Sequence, residues 1–259
     1  MVTLKELHQK YKVPHLKALQ FGIWGKTINY LSLPIIKVLM YTSVTPNQIT
    51  VFWTILGVIS CLFFVPGTYI AGIIGALLLN LTWIVDSCDG TLARAKKIFS
   101  DQGDYMESIG HWIIDSALMA CIAFGVYSRF GNPLSFALGF AASTSILLLN
   151  LLSREKINLF VRNGIYKKFE MITAHSDNKG KNDFRISKMQ RVFAKVISYY
   201  RLDFFCAVLL VLSLFDLIYL FLIFYGFTFP LIAISLYWYE TRRGFGWVHE
   251  FMREKGMMK

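Results

Sequence analysis

The chain has 259 residues, 55% of them hydrophobic and 16% aromatic, with a mean hydropathy of +0.49. Few soluble domains are this apolar, and the long apolar runs point to a polytopic helical membrane protein. A formal net charge of +11 lies almost wholly outside those runs, where it suits the anionic inner leaflet of a membrane rather than a nucleic acid.

Residues 1–45 read as an N-terminal juxtamembrane segment. Leu4, Leu7 and Tyr11 recur about one helical turn apart among Lys5, Lys10 and Lys12, which predicts an amphipathic helix on the membrane surface. No long apolar core occurs there, so a cleaved signal peptide is not expected. Lys26, Asn29, Pro34 and Lys37 interrupt the next apolar stretch, residues 21–44, so it reads as interfacial rather than spanning.

A membrane domain over 46–247 follows. Its hydropathy predicts an all-α protein with six transmembrane helices at about 48–65, 70–95, 103–127, 134–153, 203–225 and 228–246, each near the length that crosses the hydrocarbon core. The connectors at 65–69, 128–133 and 225–229 hold one charge, Arg129. Lys and Arg concentrate instead around Arg94, Lys96 and Lys97, in the loop 154–202 and in the tail 248–259. The positive-inside rule then places both termini, the loop and the Asp86 region on the cytoplasmic side. Arg154, Arg162, Lys188, Arg191 and Arg201 are candidates for an anionic acceptor or lipid phosphate. Cys61, Cys88, Cys121 and Cys206 stand singly and read as buried hydrophobes. Asp216 falls mid-span, where its cost demands a partner that the sequence does not name.

The second and third spans carry the chemistry. Asp86 and Asp89, three residues apart, share one helix face. Gly103, Glu107, His111 and Asp115 step by four along the next helix and also share a face. If the two helices form a hairpin, their carboxylates can gather around hard divalent cations such as Mg2+ or Mn2+. Gly90 and Ala93 lack bulk where a ligand could approach, and Arg94 offers a planar fork for phosphate. Intramembrane ionisable groups on this scale mark a functional site.

The run Asp86, Asp89, Gly90, Ala93, Arg94, then eight residues, then Gly103 resembles the signature of the CDP-alcohol phosphotransferases. Thr45-Pro46-Asn47-Gln48-Ile49-Thr50 resembles the segment that opens that family's first membrane helix. Two positions depart from the pattern, with Glu107 and His111 where the family has its third and fourth Asp. The resemblance implies a six-span catalytic core that transfers a substituted phosphate from a CDP-alcohol donor to the hydroxyl of an alcohol or lipid acceptor. CMP is released, in phospholipid or lipid-linked glycan synthesis. It implies two divalent ions, Mg2+ or Mn2+, on Asp86, Asp89 and Glu107, with Asn47, Gly90, Ala93, Arg94 and Gly103 around the nucleotide and phosphates. His111 takes the position of the family's base and metal ligand, with Asp115 as a fallback base, and a homodimer is implied too. Two other readings stand beside it: a CDP-binding relative that has lost turnover, motivated by Glu107 and His111, and an ion-coupled transporter, which gives no reason for the Gly90, Ala93 and Arg94 spacing.

Overall fold

A computed structural model describes residues 23–162 and 202–243, all of whose regular elements are helices. They are α1 (Ile23–Leu39), α2 (Pro46–Leu62), α3 (Tyr69–Lys96), α4 (Asp101–Phe130), α5 (Leu134–Arg162), α6 (Leu202–Leu214) and α7 (Ile218–Arg243). The amphipathic helix expected before residue 21, most of the basic loop and the C-terminal tail lie outside the described residues.

Among the described residues, four helices are long and apolar enough to cross a membrane: α3, α4, α5 over Leu134–Glu155 and α7 over Ile218–Tyr239. With 17 residues, α2 rises about 26 Å, short of the roughly 30 Å hydrocarbon core. Outward positions such as Phe52, Ile55, Ile74, Leu77, Phe140 and Ile234 are exposed and apolar, as suits helices whose solvent is lipid. The molecule is an integral membrane protein.

Local signals set the helix ends at the polar end of the α3–α4 hairpin. Thr45 caps α2 through a capping box with Gln48, and Pro46 occupies the first turn, where its missing N–H leaves no helical bond unmade. Lys97 ends α3 in a left-handed conformation, with its N–H on the Ala93 carbonyl. Ser100 caps α4 by accepting from the Gly103 N–H. Four residues separate α3 from α4, and α2 packs against both helices. Lys96 Nζ donates to the carbonyls of Thr42 and Val44, at 2.7 Å each, fastening the α1–α2 link to the end of α3.

Helix α2 packs on α3 and α4, α4 on α5, α5 on α7, and α3 on α6. The core between them includes Trp53, Leu79, Leu92, Ile114, Leu118, Ile122, Leu209 and Phe221. Helix α1, the stretch read as interfacial, lies along α3. Trp24 Nε1 donates to Asn80 Oδ1 (2.9 Å), and Ser87 Oγ donates to Asn29 Oδ1 (2.9 Å). The four cysteines are free thiols, three of them buried.

The last two helices differ from the expected spans. The break falls at Asp216 rather than at 225–229, and α7 runs unbroken through Gly226 and Pro230. Asp216 adopts φ 62°, while the Leu217 N–H returns to the Leu212 carbonyl, the pattern of a left-handed helix end. Gly226 serves close packing, since a Cβ there would come within 2.8 Å of Leu138 Cβ. Pro230 is tolerated because neighbouring helices shield the gap it leaves in an apolar helix. Asp216 is therefore a turn residue, and its partner is Arg129 at the end of α4, bound through both guanidinium nitrogens, one contact at 2.6 Å.

Candidate active site

The signature helices bring three of the expected residues together. Asp86 on α3 and Glu107 and His111 on α4 present ligand atoms that all lie within 4.8 Å of one another. His111 Nε2 stands 3.5 Å from Asp86 Oδ1, both side chains partly buried. Two donors on one cation at about 2.1 Å each can be no more than about 4.2 Å apart, so a small side-chain adjustment closes the set on a single ion. Two carboxylates and an imidazole are a chemically suitable set for a divalent cation.

Asp89 is placed differently. It is 5% exposed, and its Oδ2 accepts from Thr50 Oγ1 at 2.8 Å and from Trp53 Nε1 at 2.9 Å. It is not one of the three converging groups, although it stands within electrostatic reach of Glu107 and Arg94. Both donors come from α2, so that helix fixes one carboxylate of the signature in orientation. A buried carboxylate gains most from such bonds, because leaving it unsatisfied would cost several kcal/mol by order of magnitude.

The remaining positions sort by contact. Asn47 meets the start of α4, with its Nδ2 donating to Ser100 Oγ at 3.3 Å. A Cβ on Gly103 would come within 2.8 Å of Asn47 Oδ1, so this glycine makes room for Asn47. At Gly90 the nearest atom to an added Cβ would be a nitrogen of Arg94, one turn along the same helix, at 3.5 Å. Protein packing does not demand a glycine there, whereas a ligand lying against the helix would. Arg94 Nη2 donates to Thr91 Oγ1 (3.1 Å), and Ala93 lies on the last turn of α3, partly exposed. Arg154 lies over the Trp112 ring, 5.3 Å from its centroid, at the residue after His111. Arg162 falls in α5 but its side chain is outside the described set, as are Lys188, Arg191 and Arg201. Asp115 sits one turn below His111 on the same helix.

Four residues of the site escaped sequence reasoning: Thr50, Trp53, Trp83 and Gly110. The imidazole of His111 lies between two indoles, stacked on Trp83 at 5.0 Å and 8° and tilted against Trp53 at 4.8 Å and 32°. Gly110 admits Trp53, since a Cβ there would lie 2.7 Å from Trp53 Cη2. Trp83, 8% exposed, carries an Nε1–H with no hydrogen-bond partner among the described residues, a costly state for a buried donor. Thr50 and Trp53, three apart after Asn47, did carry a legible signal: polar-capable side chains on one face of an apolar helix.

The site of this helical membrane domain thus gathers carboxylates and an imidazole, with an arginine within electrostatic reach. The model of the CDP-alcohol phosphatidyltransferase family matches residues 43–176, half of the chain, and the protein belongs to that family. Among its relatives, a bifunctional IPC transferase and DIPP synthase of Thermococcus kodakarensis is 30% identical over 148 residues, 57% of this chain and 32% of the relative. Proteins of the same name from Archaeoglobus fulgidus and Aquifex aeolicus are 31% and 28% identical over 117 and 119 residues, covering 45% and 46% of this chain and 23% and 27% of those relatives. The matched segment thus spans less than a third of each of these relatives.

Proposed function

We propose that this protein transfers a substituted phosphate from a CDP-alcohol to an acceptor hydroxyl and releases CMP, as a divalent-metal-dependent membrane enzyme. The observation that carries the reading is the convergence of Asp86, Glu107 and His111 beside Asp89, Gly90 and Arg94 within the matched family segment. In the reaction the acceptor oxygen attacks the β-phosphorus, a new P–O bond forms, and the bond to the CMP oxygen breaks with its electron pair. The acceptor's proton passes to His111, or to the deeper Asp115 where the His111 nitrogen is engaged by an ion.

Asp86, Glu107 and His111 would hold one divalent ion, and Asp89 a second through Oδ1, which also accepts from the Gly90 N–H. Such ions, Mg2+ or Mn2+, would offset charge on the pyrophosphate and on the departing CMP. Thr50 and Trp53 keep Asp89 oriented. Arg94 pairs with a phosphate, Gly90 and Ala93 leave the approach open, and Gly103 seats Asn47 at its rim. We place this end of the hairpin and both termini on the cytoplasmic side from the positive-inside pattern. From the family resemblance we place the chain in phospholipid or lipid-linked glycan synthesis, as a homodimer.

The test is CMP release by the purified protein in native lipid with Mg2+ or Mn2+, over a panel of CDP-alcohols that includes the DIPP synthase substrates, beside Asp86→Asn. Release that needs metal and is lost in the variant supports the reading. Metal-dependent CDP binding without release from any donor would replace it with the binding-only relative that the Glu107 and His111 departures suggest.

A further inference from the structure

The departure at position 111 has a built surrounding. The imidazole fills a slot whose walls are Trp53, fully buried, and Trp83, 8% exposed, with ring centroids 4.8 and 5.0 Å away. Trp53 is itself fixed by its hydrogen bond to Asp89 and by the space that Gly110 leaves. A slot between two indoles fits a flat ring, and an aspartate would leave it half empty at a cost in packing. The ring so held places Nε2 3.5 Å from Asp86 Oδ1, and the imidazole offers a ligand atom to the group that Asp86 and Glu107 complete.

We propose that His111 is a nitrogen ligand of the bound cation, locked in orientation by the Trp53 and Trp83 indoles, and that it shifts the site's preference from Mg2+ toward transition cations such as Mn2+, Fe2+, Co2+ or Zn2+. This rests on the metal-dependent reading above and deepens it. Mg2+ favours an all-oxygen shell and keeps its waters, whereas an imidazole suits the later first-row ions. One nitrogen among carboxylates is thus a selectivity element. Trp53 and Trp83 are positioning residues in this scheme, each acting through the imidazole. The competing arrangement uses the same atoms: an imidazolium between electron-rich indole faces, paired with Asp86, with no ion.

Pulsed EPR of the Mn2+-loaded protein, purified without a polyhistidine tag, separates the two. Modulation from a directly bound 14N is expected in the wild type and absent in His111→Asp. Displacement of the Mn2+ signal gives the second readout: the affinity ratio of Co2+ to Mg2+ should fall at least about tenfold in His111→Asp. Bound Mn2+ without 14N modulation in the wild type overturns the proposal, and needs no variant to fold. An unchanged Co2+ to Mg2+ ratio in a folded His111→Asp protein overturns it as well. If CMP release still requires metal in either case, only this inference falls and the phosphotransferase reading stands. Failure of the wild type to bind Mn2+ at all removes both the inference and the metal dependence.

Discussion

Trp53 touches both halves of the site, donating to Asp89 at 2.9 Å and packing on His111 at 4.8 Å. Trp53→Phe keeps an aromatic ring but removes the donor. A lost bond to a ligating carboxylate typically costs about 10- to 100-fold in metal affinity or activity. We expect a loss of CMP release in that range together with a lower melting temperature in detergent, because the smaller ring leaves space in the core and Asp89 loses a donor; an unchanged rate would show that Asp89 needs no help from α2. At this scale the sequence was informative where spacing alone decides. Glu107 and His111 share one face of α4 because four residues separate them, and both meet Asp86 on α3. Thr50 and Trp53 were legible as polar-capable side chains on one face of α2, but their contact with Asp89 was not, because it depends on how α2 slides against α3, and no periodicity within α2 encodes that register. Trp83 escaped for a similar reason: an indole in an apolar run reads as core until its neighbour across the hairpin is known.

The helices approach one another through small residues, and these can be told apart by what surrounds them. Alanine in a helix is favoured over glycine by about 1 kcal/mol, while overpacking costs roughly 1–3 kcal/mol. At Gly110 a Cβ would meet Thr54 Oγ1 at 2.6 Å and Trp53 at 2.7 Å, so packing wins and Gly110→Ala should lower the melting temperature. At Gly90 nothing lies nearer than 3.5 Å, so propensity wins. Gly90→Ala should melt at or above the wild type and yet lose CMP release, because the added methyl meets substrate rather than protein. Parallel thermal melts and assays of the two variants check this, and equal effects on melting would contradict the assignment of Gly90 to the substrate. Helix ends around the signature were readable, with Thr45, Pro46 and Gln48 carrying capping chemistry in sequence. The boundary between α6 and α7 was not. Gly226 and Pro230 look like a break and the apolar run through Asp216 looks continuous, but the chain turns where Arg129 supplies a partner that is distant in sequence.

Across the whole molecule, the signature residues lie where α3 ends and α4 begins, while the Arg129–Asp216 pair joins α4 to the α6–α7 turn beyond the other end of α4. The hydrogen bond from Arg129 holds the Asp216 carboxyl below its ordinary value. Its stabilisation is therefore present above the unfolded carboxyl pKa of about 3.9 and fades as pH falls through the lower folded value. Both side chains are over a third exposed, so screening limits the pair to at most about 1 kcal/mol. Asp216→Asn tolerates the left-handed backbone and removes only the charge. It should melt slightly below the wild type at pH 7, match it once the pH has fallen through the wild-type carboxyl's lowered folded value, and leave CMP release unchanged. A membrane protein of helices was evident from hydropathy alone, but the number of spans was not. Short α2 and the α6–α7 break depend on packing rather than apolar length. The most direct test of the central claim follows the phosphorus itself, with β-32P-labelled CDP-alcohol, Mn2+ and acceptor in lipid vesicles. Label should move to the acceptor in step with CMP, one for one, and stay in the donor with Asp86→Asn. Label left wholly in the donor by the wild type, across all donors and acceptors tried, would contradict the account.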